Sequence, residues 1–146
     1  MSKIIAIGSD HAGFKLKEYL KKYLKSIGYE VKDLGTDSEV SVDYPDFVHP
    51  VARMVENKEI EKGIVICGTG NGVAMTANKH RNVRCALCWE KEIARLARSH
   101  NDANMLALPA RFITKCKAKK ITKVFLEMGF EGGRHVRRIE KIAKLI

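Results

Sequence analysis

The feature that most constrains the fold is an alternation of two patterns along the whole chain. Short, nearly continuous apolar runs alternate with stretches in which apolar residues recur every three or four positions. Ile4–Gly8 is the first run. Residues 14–27 follow, with Leu16, Tyr19, Leu20, Tyr23, Leu24 and Ile27 at helical spacing and Gly28 as the stop. Glu30–Leu34 reads as a second strand. A polar loop then runs from Gly35 to Asp43. Phe47, Val48, Val51, Ala52 and Val55 form the next helical stripe, and Pro45 and Pro50 both suit a helix start, which leaves its first residue open. Gly63–Cys67 is the third strand, and it leads through Gly68-Thr-Gly-Asn-Gly72 into a helix reaching about His80. Arg84–Cys88 is the fourth strand, Glu90–His100 a helix, and Met105–Leu108 the fifth strand. Thr114 can cap a helix carrying Ala118, Ile121, Val124, Phe125 and Met128. Gly132-Gly133 opens a last helix, 133–146, with Val136, Ile139, Ile142, Ala143 and Ile146.

Strands separated by helical crossovers pair in parallel, because a crossover needs a dozen or more residues. Runs without polar alternation belong to a sheet covered on both faces. The expectation is a single α/β doubly wound domain over 1–146, with five parallel strands and helices on both faces. Apolar residues make up 45% and charged residues 30%, which excludes a disordered or collagen-like chain. No apolar run approaches the roughly 18–20 residues that span a bilayer. The start of the chain lacks the apolar core and cleavage site of a secretory signal, so the expected location is the cytosol. The net charge of +10 favours anionic partners. Its densest run, Lys115, Lys117, Lys119, Lys120 and Lys123, reads as the wet face of a helix. Cys85 and Cys88 are spaced like half a metal motif. On a strand they point to opposite faces, so no metal site is expected and the cysteines read as small buried apolar residues.

Ligands bind at the carboxyl ends of the strands in such sheets. Ser9-Asp10-His11-Ala12-Gly13 follows the first strand, Cys67-Gly-Thr-Gly-Asn-Gly72 ends the third, and Arg111 follows the fifth. His100-Asn101-Asp102 closes the fourth helix. All of these are expected at one edge of the sheet. The glycines allow a tight turn that exposes backbone N–H groups, able to hold a phosphate or a developing oxyanion. A thiol beside such a turn and a helix start ionises more readily than a free one, and a thiolate can act as base or nucleophile. Arg134 and Arg138, at i and i+4, form a two-guanidinium cradle suited to a phosphate. Each group also has a plainer reading. Cys67 could be a buried strand-end cysteine, Asp10 a helix cap with His11 on the surface, His100 a packed residue, and the two arginines a solvated face.

Five segments taken together resemble one family. They are G-x-D-H-A-G-x-x-L-K at Gly8–Lys17, D-Y-P at Asp43–Pro45, C-G-T-G-x-G at Cys67–Gly72, H-N-D-A-N at His100–Asn104 and E-G-G-R-H-x-x-R at Glu131–Arg138. In this order they are similar to the type B ribose-5-phosphate isomerases, within the group that includes galactose-6-phosphate and allose-6-phosphate isomerases. The resemblance implies a flavodoxin- or Rossmann-like fold. It implies a cytoplasmic enzyme of the pentose phosphate pathway, an aldose–ketose isomerase that uses no metal or organic cofactor. It implies homodimers or homotetramers with active sites between subunits, the last helix reaching a neighbour. Cys67 would move the proton between C2 and C1 through a cis-enediolate, with Gly68, Gly70, Asn71 and Gly72 receiving the enediolate oxygen. His100, helped by Thr69, would open the furanose ring. Asp10 and Asn101 would hold sugar hydroxyls, Tyr44 would pack near the sugar, and His11, Arg111, Arg134 and Arg138 would surround the phosphate, with the arginines expected from the neighbouring subunit. Val73 stands where one branch of the family carries a glutamate base, so Cys67 has no rival there. Asn71 and Pro109 depart from common family residues and bear on which sugar is preferred.

The alternatives are an isomerase of a six-carbon sugar phosphate, allose 6-phosphate or galactose 6-phosphate, and a non-catalytic phosphate- or nucleotide-binding module. A nucleic-acid-binding role, prompted by the net charge, is disfavoured because aromatics are few and not interleaved with the basic run. No membrane partner is expected.

Overall fold

The computed structural model describes residues 3–144. The chain alternates β1 (Ile4–Ser9), a 3-10 turn (His11–Gly13), α1 (Phe14–Ser26), β2 (Glu30–Asp33), α2 (Pro45–Glu56), β3 (Lys62–Cys67), α3 (Asn71–Ala77), β4 (Cys85–Leu87), α4 (Lys91–Ser99), β5 (Met105–Pro109), α5 (Lys115–Glu127) and α6 (Arg134–Lys144). The expected elements are all present. Pro45 begins α2 and Pro50 lies inside it. Thr114 caps α5 through Oγ1, which accepts the Lys117 N–H at 3.1 Å. Ile146, expected on the last helical stripe, lies outside the described residues. No helix among the described residues is long and apolar enough to cross a membrane.

The strands pair in parallel in the order β2-β1-β3-β5-β4. The fold class is as expected. Compared with the flavodoxin order 2-1-3-4-5, the last two strands have changed places. Successive side chains of each strand go to opposite faces and build two cores. Ile5, Ile7, Ile64, Ile66, Leu106 and Leu108 pack under α1, α4 and α5. Ala6, Val65, Met105 and Ala107 pack under α2 and α3. Cys88 belongs to the first core and Cys85 packs against the second, so the sheet lies between the two sulfurs. Cys116 departs from the expectation of burial: it sits exposed on the first turn of α5.

The face under α2 is built for close approach. A Cβ at Gly8 would stand 2.3 Å from the Phe47 carbonyl oxygen, so α2 rests directly on β1. On the α1 side of the sheet, the fully buried Lys17 reaches Asp33 at 2.7 Å and Glu18 at 2.9 Å. Burial pushes the Asp33 carboxyl up, but hydrogen bonds from Lys17 and Lys21 outweigh it and hold the group below its usual value.

Gly8→Ala therefore forces α2 away from the sheet. It should cost about 1–3 kcal/mol, as overpacking in a close-packed interior does. Urea denaturation measures this, and an unchanged midpoint would refute the tight contact.

Candidate active site

The sheet order reverses between β1 and β3, since β2 lies on one side of β1 and β3 on the other. The connections leaving these two strands diverge there, and a crevice opens at their carboxyl ends. A cleft of about 300 Å³ occupies it, lined by Asp10, His11, Tyr44, Cys67, Thr69 and Arg111 together with Gly68 and Gly72. A larger hollow of about 460 Å³, bordered by Glu56, Lys58, Glu61, Arg84 and Asn104, lies at the opposite edge of the sheet. Size does not select between them, and a hollow of about 320 Å³ beside Cys85 also holds a thiol, but of these three only the 300 Å³ cleft sets its thiol at the carboxyl end of a strand.

Cys67 is the last residue of β3 and is buried. Its Sγ accepts the Gly70 N–H at 3.2 Å, so the loop turns a donor onto the sulfur. Gly70 makes that turn in the left-handed region, φ +77°, where a side chain would also strike Leu87. Thr69 is exposed, and its Oγ1 accepts the Asn71 N–H at 3.2 Å. Tyr44 precedes α2 and its ring covers Gly72, where a Cβ would come within 2.5 Å of the Tyr44 Cζ. The Arg111 side chain lies over Gly68 in the same way, and the Arg111 backbone N–H donates to the Gly68 carbonyl at 3.0 Å.

Asp10 caps the 3-10 turn through Oδ1, which accepts the Gly13 N–H at 3.1 Å. The plainer reading of Asp10 as a cap is thus correct, and the same residue also lines the cleft. Val42 donates its N–H to His11 Nδ1 at 3.1 Å. That bond fixes the neutral ring as the Nε2–H tautomer and leaves Nε2 as a donor for an anion.

His100, Asn101, Arg134 and Arg138 do not join this cleft. A crossover helix must return the chain to the amino end of the next parallel strand, so the end of α4 lies at the amino edge of the sheet. Several contacts mark that edge. Arg84, just before β4, donates through Nε to the carbonyls of Asn101 at 3.2 Å and Asp102 at 3.1 Å. Gly63, near the start of β3, donates its N–H to Asn104 O at 3.1 Å. Five steps along β3 separate the two edges, about 17 Å at ~3.3 Å per residue. The expectation of one shared edge is therefore wrong for His100 and Asn101 within one chain. His100 follows Ile93 and Leu96 by seven and four positions, and that stripe is not the buried face of α4, which is Ala94, Ala97 and Arg98. His100 is only half-buried.

The amino edge carries its own cluster. The Glu131 N–H donates to Ser99 O at 3.0 Å and sets the start of α6 against the end of α4. His100 Nε2 stands 3.4 Å from Glu131 Oε2, and the His100 ring stacks on His135 with centroids 4.4 Å apart. The buried Arg98 ties the turn together, bonding Asp102 Oδ1 at 2.9 Å, Ala103 O at 2.7 Å and Met128 O at 3.1 Å. Arg134 and Arg138 are exposed on the first two turns of α6. Sequence reasoning gave Glu131 and His135 no role. Their spacing, i and i+4 across the glycine pair, was the available signal.

The comparisons with known proteins agree with this geometry. A sequence profile described as Ribose/Galactose Isomerase matches residues 5–142. The chain belongs to the ribose/galactose isomerase family. A probable ribose-5-phosphate isomerase B of Mycoplasma genitalium is 47% identical over 146 residues, spanning 99% of this chain and 96% of that protein. The crystal structure of a ribose 5-phosphate isomerase from Thermotoga maritima is 51% identical, with a TM-score of 0.95 over 97% of this chain and 98% of that one. The Mycoplasma genitalium enzyme with bound ribulose-5-phosphate is 46% identical, with a TM-score of 0.92 over 96% and 93% of the two chains. The family likeness thus spans both edges of the sheet.

The four thiols should differ in reactivity. Burial pushes the Cys88 thiol up to about 12, and burial together with Cys88 pushes Cys85 up further. At pH 8 a thiol of that kind is about 10⁻⁴ ionised, and the thiolate is the reacting form. Iodoacetamide on the native protein should label the exposed Cys116 well before Cys85 or Cys88. Peptide mapping by mass spectrometry reads the order, and early labelling of Cys88 would contradict it.

Proposed function

We propose that the cleft at the ends of β1 and β3 binds a phosphorylated aldose and that Cys67 moves a proton between its C2 and C1. The chain is an aldose–ketose isomerase of the ribose-5-phosphate isomerase B type. The observation that carries the assignment of roles is a thiol held beside a glycine-rich turn at the fold's ligand-binding crevice. A proton next to a carbonyl is only weakly acidic. Removing it requires a base together with donors for the oxygen that gains charge, and a lost donor of this kind typically costs ~10²–10³ in rate. Cys67 supplies the base, and Gly68, Gly70, Asn71 and Gly72 supply the adjacent amides. The cis-enediolate is reprotonated at C1 as the hydroxyl proton shifts between O1 and O2. The exchange is redox-neutral overall and no cofactor enters this route. Asp10 and Tyr44 position the sugar. His11 Nε2–H and Arg111 meet the phosphate, whose binding energy orients the reacting carbons.

The remaining groups are at the wrong edge of their own chain, and this supports a site shared between subunits. In a two-fold homodimer, patch i of one copy meets patch j of the other, twice. Such a pairing sets His100, Asn101, Arg134 and Arg138 of one copy over the cleft of the next. His100, with Thr69, then opens the ring, Asn101 holds a hydroxyl, and the arginines close the phosphate site. Apolar side chains accompany both halves. Phe112 is 73% exposed beside Arg111 and Met75 67% exposed on α3, while Ile142 is 59% exposed on α6. The cytosol suits this reading, because phosphorylated sugars are made there and thiols stay reduced.

Assays on ribose 5-phosphate and allose 6-phosphate test the substrate. A kcat/KM higher on the pentose is expected, and a tenfold preference for the hexose would reassign it. Cys67→Ser should lose about 10²–10⁴ in kcat while still binding substrate, since a positioned acid–base group contributes that much.

A mixing experiment tests the shared site. Cys67→Ser and His100→Ala homodimers should each be impaired. After random subunit exchange, half the dimers are mixed and each keeps one intact site, so about a quarter of wild-type activity should return. No recovery would place both residues in one chain's site.

A further inference from the structure

We infer that His100, Glu131 and His135 form a binding site for a divalent transition-metal ion of the zinc type. The three donor atoms lie within 4.8 Å of one another. They come from two segments brought together by the fold: His100 from the end of α4, and Glu131 and His135 from the glycine turn and the first turn of α6. His135 is 93% buried by its 7% relative exposure, and its Nε2 is buried without a hydrogen-bond partner. A buried ring nitrogen left unpaired is costly, and a metal ion would use that lone pair.

The donor chemistry selects the ion. Two imidazoles and one carboxylate suit zinc and its neighbours, whereas calcium and magnesium prefer all-oxygen shells. Tetrahedral zinc with bonds of about 2.0–2.1 Å holds its donors roughly 3.3 Å apart. The His100 Nε2 to Glu131 Oε2 distance of 3.4 Å already meets that spacing. The third donor lies within 4.8 Å, and the two rings, now stacked 15° from parallel, must turn out of the stack for both lone pairs to meet one ion. Three protein donors leave a fourth position for water. Arg134 and Arg138 oppose the cation, so the site is weaker than a structural zinc site.

The backbone supports the arrangement. Gly132 and Gly133 both adopt the left-handed conformation, at φ +73° and +58°. This turn places Glu131 and His135 on the same side of the start of α6, and the Glu131 N–H bond to Ser99 O anchors it beside His100.

The functional consequence rests on the role proposed for His100. An imidazole bound to zinc has no free lone pair to relay a proton, so the ion blocks ring opening while leaving the Cys67 cleft intact. Zinc thus acts as an inhibitor bound to the catalytic histidine of the amino-edge half-site.

Cobalt(II) and zinc binding to the purified, chelator-stripped enzyme test the inference. One cobalt per chain should give visible d–d bands without sulfur-to-cobalt charge transfer. Zinc affinity, read by competition with a chromogenic chelator, should fall at least tenfold in Glu131→Gln and in His135→Gln and stay unchanged in Cys67→Ser. Glu131 is exposed, so its variant tests the site without disturbing the core. Loss of binding in Cys67→Ser, a thiolate charge-transfer band, or undiminished affinity in Glu131→Gln would overturn the site. Zinc should also inhibit turnover of ribose 5-phosphate. Binding at this site with full turnover would keep the metal site and remove His100 from the reaction.

Discussion

The parallel pairing of β1 with β3 is the constraint on which the rest depends. Gly8 lies opposite Val65 and Ser9 opposite Ile66, and the Asp10 N–H donates to Ile66 O at 3.2 Å just beyond the strand. This register sets the Asp10 turn beside the Cys67 loop. A slip of one residue would exchange the faces of the strand, sending Ile5 and Ile7 toward the small-residue core under α2. The same pairing that fills the two cores therefore brings the carboxylate, the histidine and the thiol to one crevice.

The division of function between the two sheet edges follows from chain direction. A parallel strand presents loops that leave it at one edge and loops that enter it at the other. Asp10, Cys67 and Arg111 lie on leaving loops. His100 and Asn101 lie on the entering segment before β5, and α6 begins against that segment through Glu131 and His135. No rearrangement of one chain's loops could unite these groups without reversing a strand. The association of copies proposed above would do so without any change of fold.

Much of this was legible in the residues. The apolar runs at Ile4–Gly8 and Gly63–Cys67, the Thr114 cap and the Gly28 stop located the elements, because local periodicity and capping chemistry act within a few residues. Cys67, Asp10, His11 and Arg111 followed from the rule that ligands lie at strand carboxyl ends. The placement of His100 did not, because it depends on which way α4 runs relative to the sheet. The strand order was also hidden: nothing local to Cys85–Leu87 or Met105–Pro109 says that β5 lies inside β4. Glu131 and His135 escaped notice because their meaning depends on a contact with a residue some thirty positions away.

The borders of the sheet have a consequence of their own. β2 has four residues and carries the charged Glu30, Lys32 and Asp33, while β4 has only three residues. Neither offers a long, flat, apolar rim onto which a foreign strand could zip. Sheet-to-sheet fusion, the usual beginning of fibril growth, is thereby discouraged at both flanks, even with Met75, Phe112 and Ile142 left bare on the helices and loops.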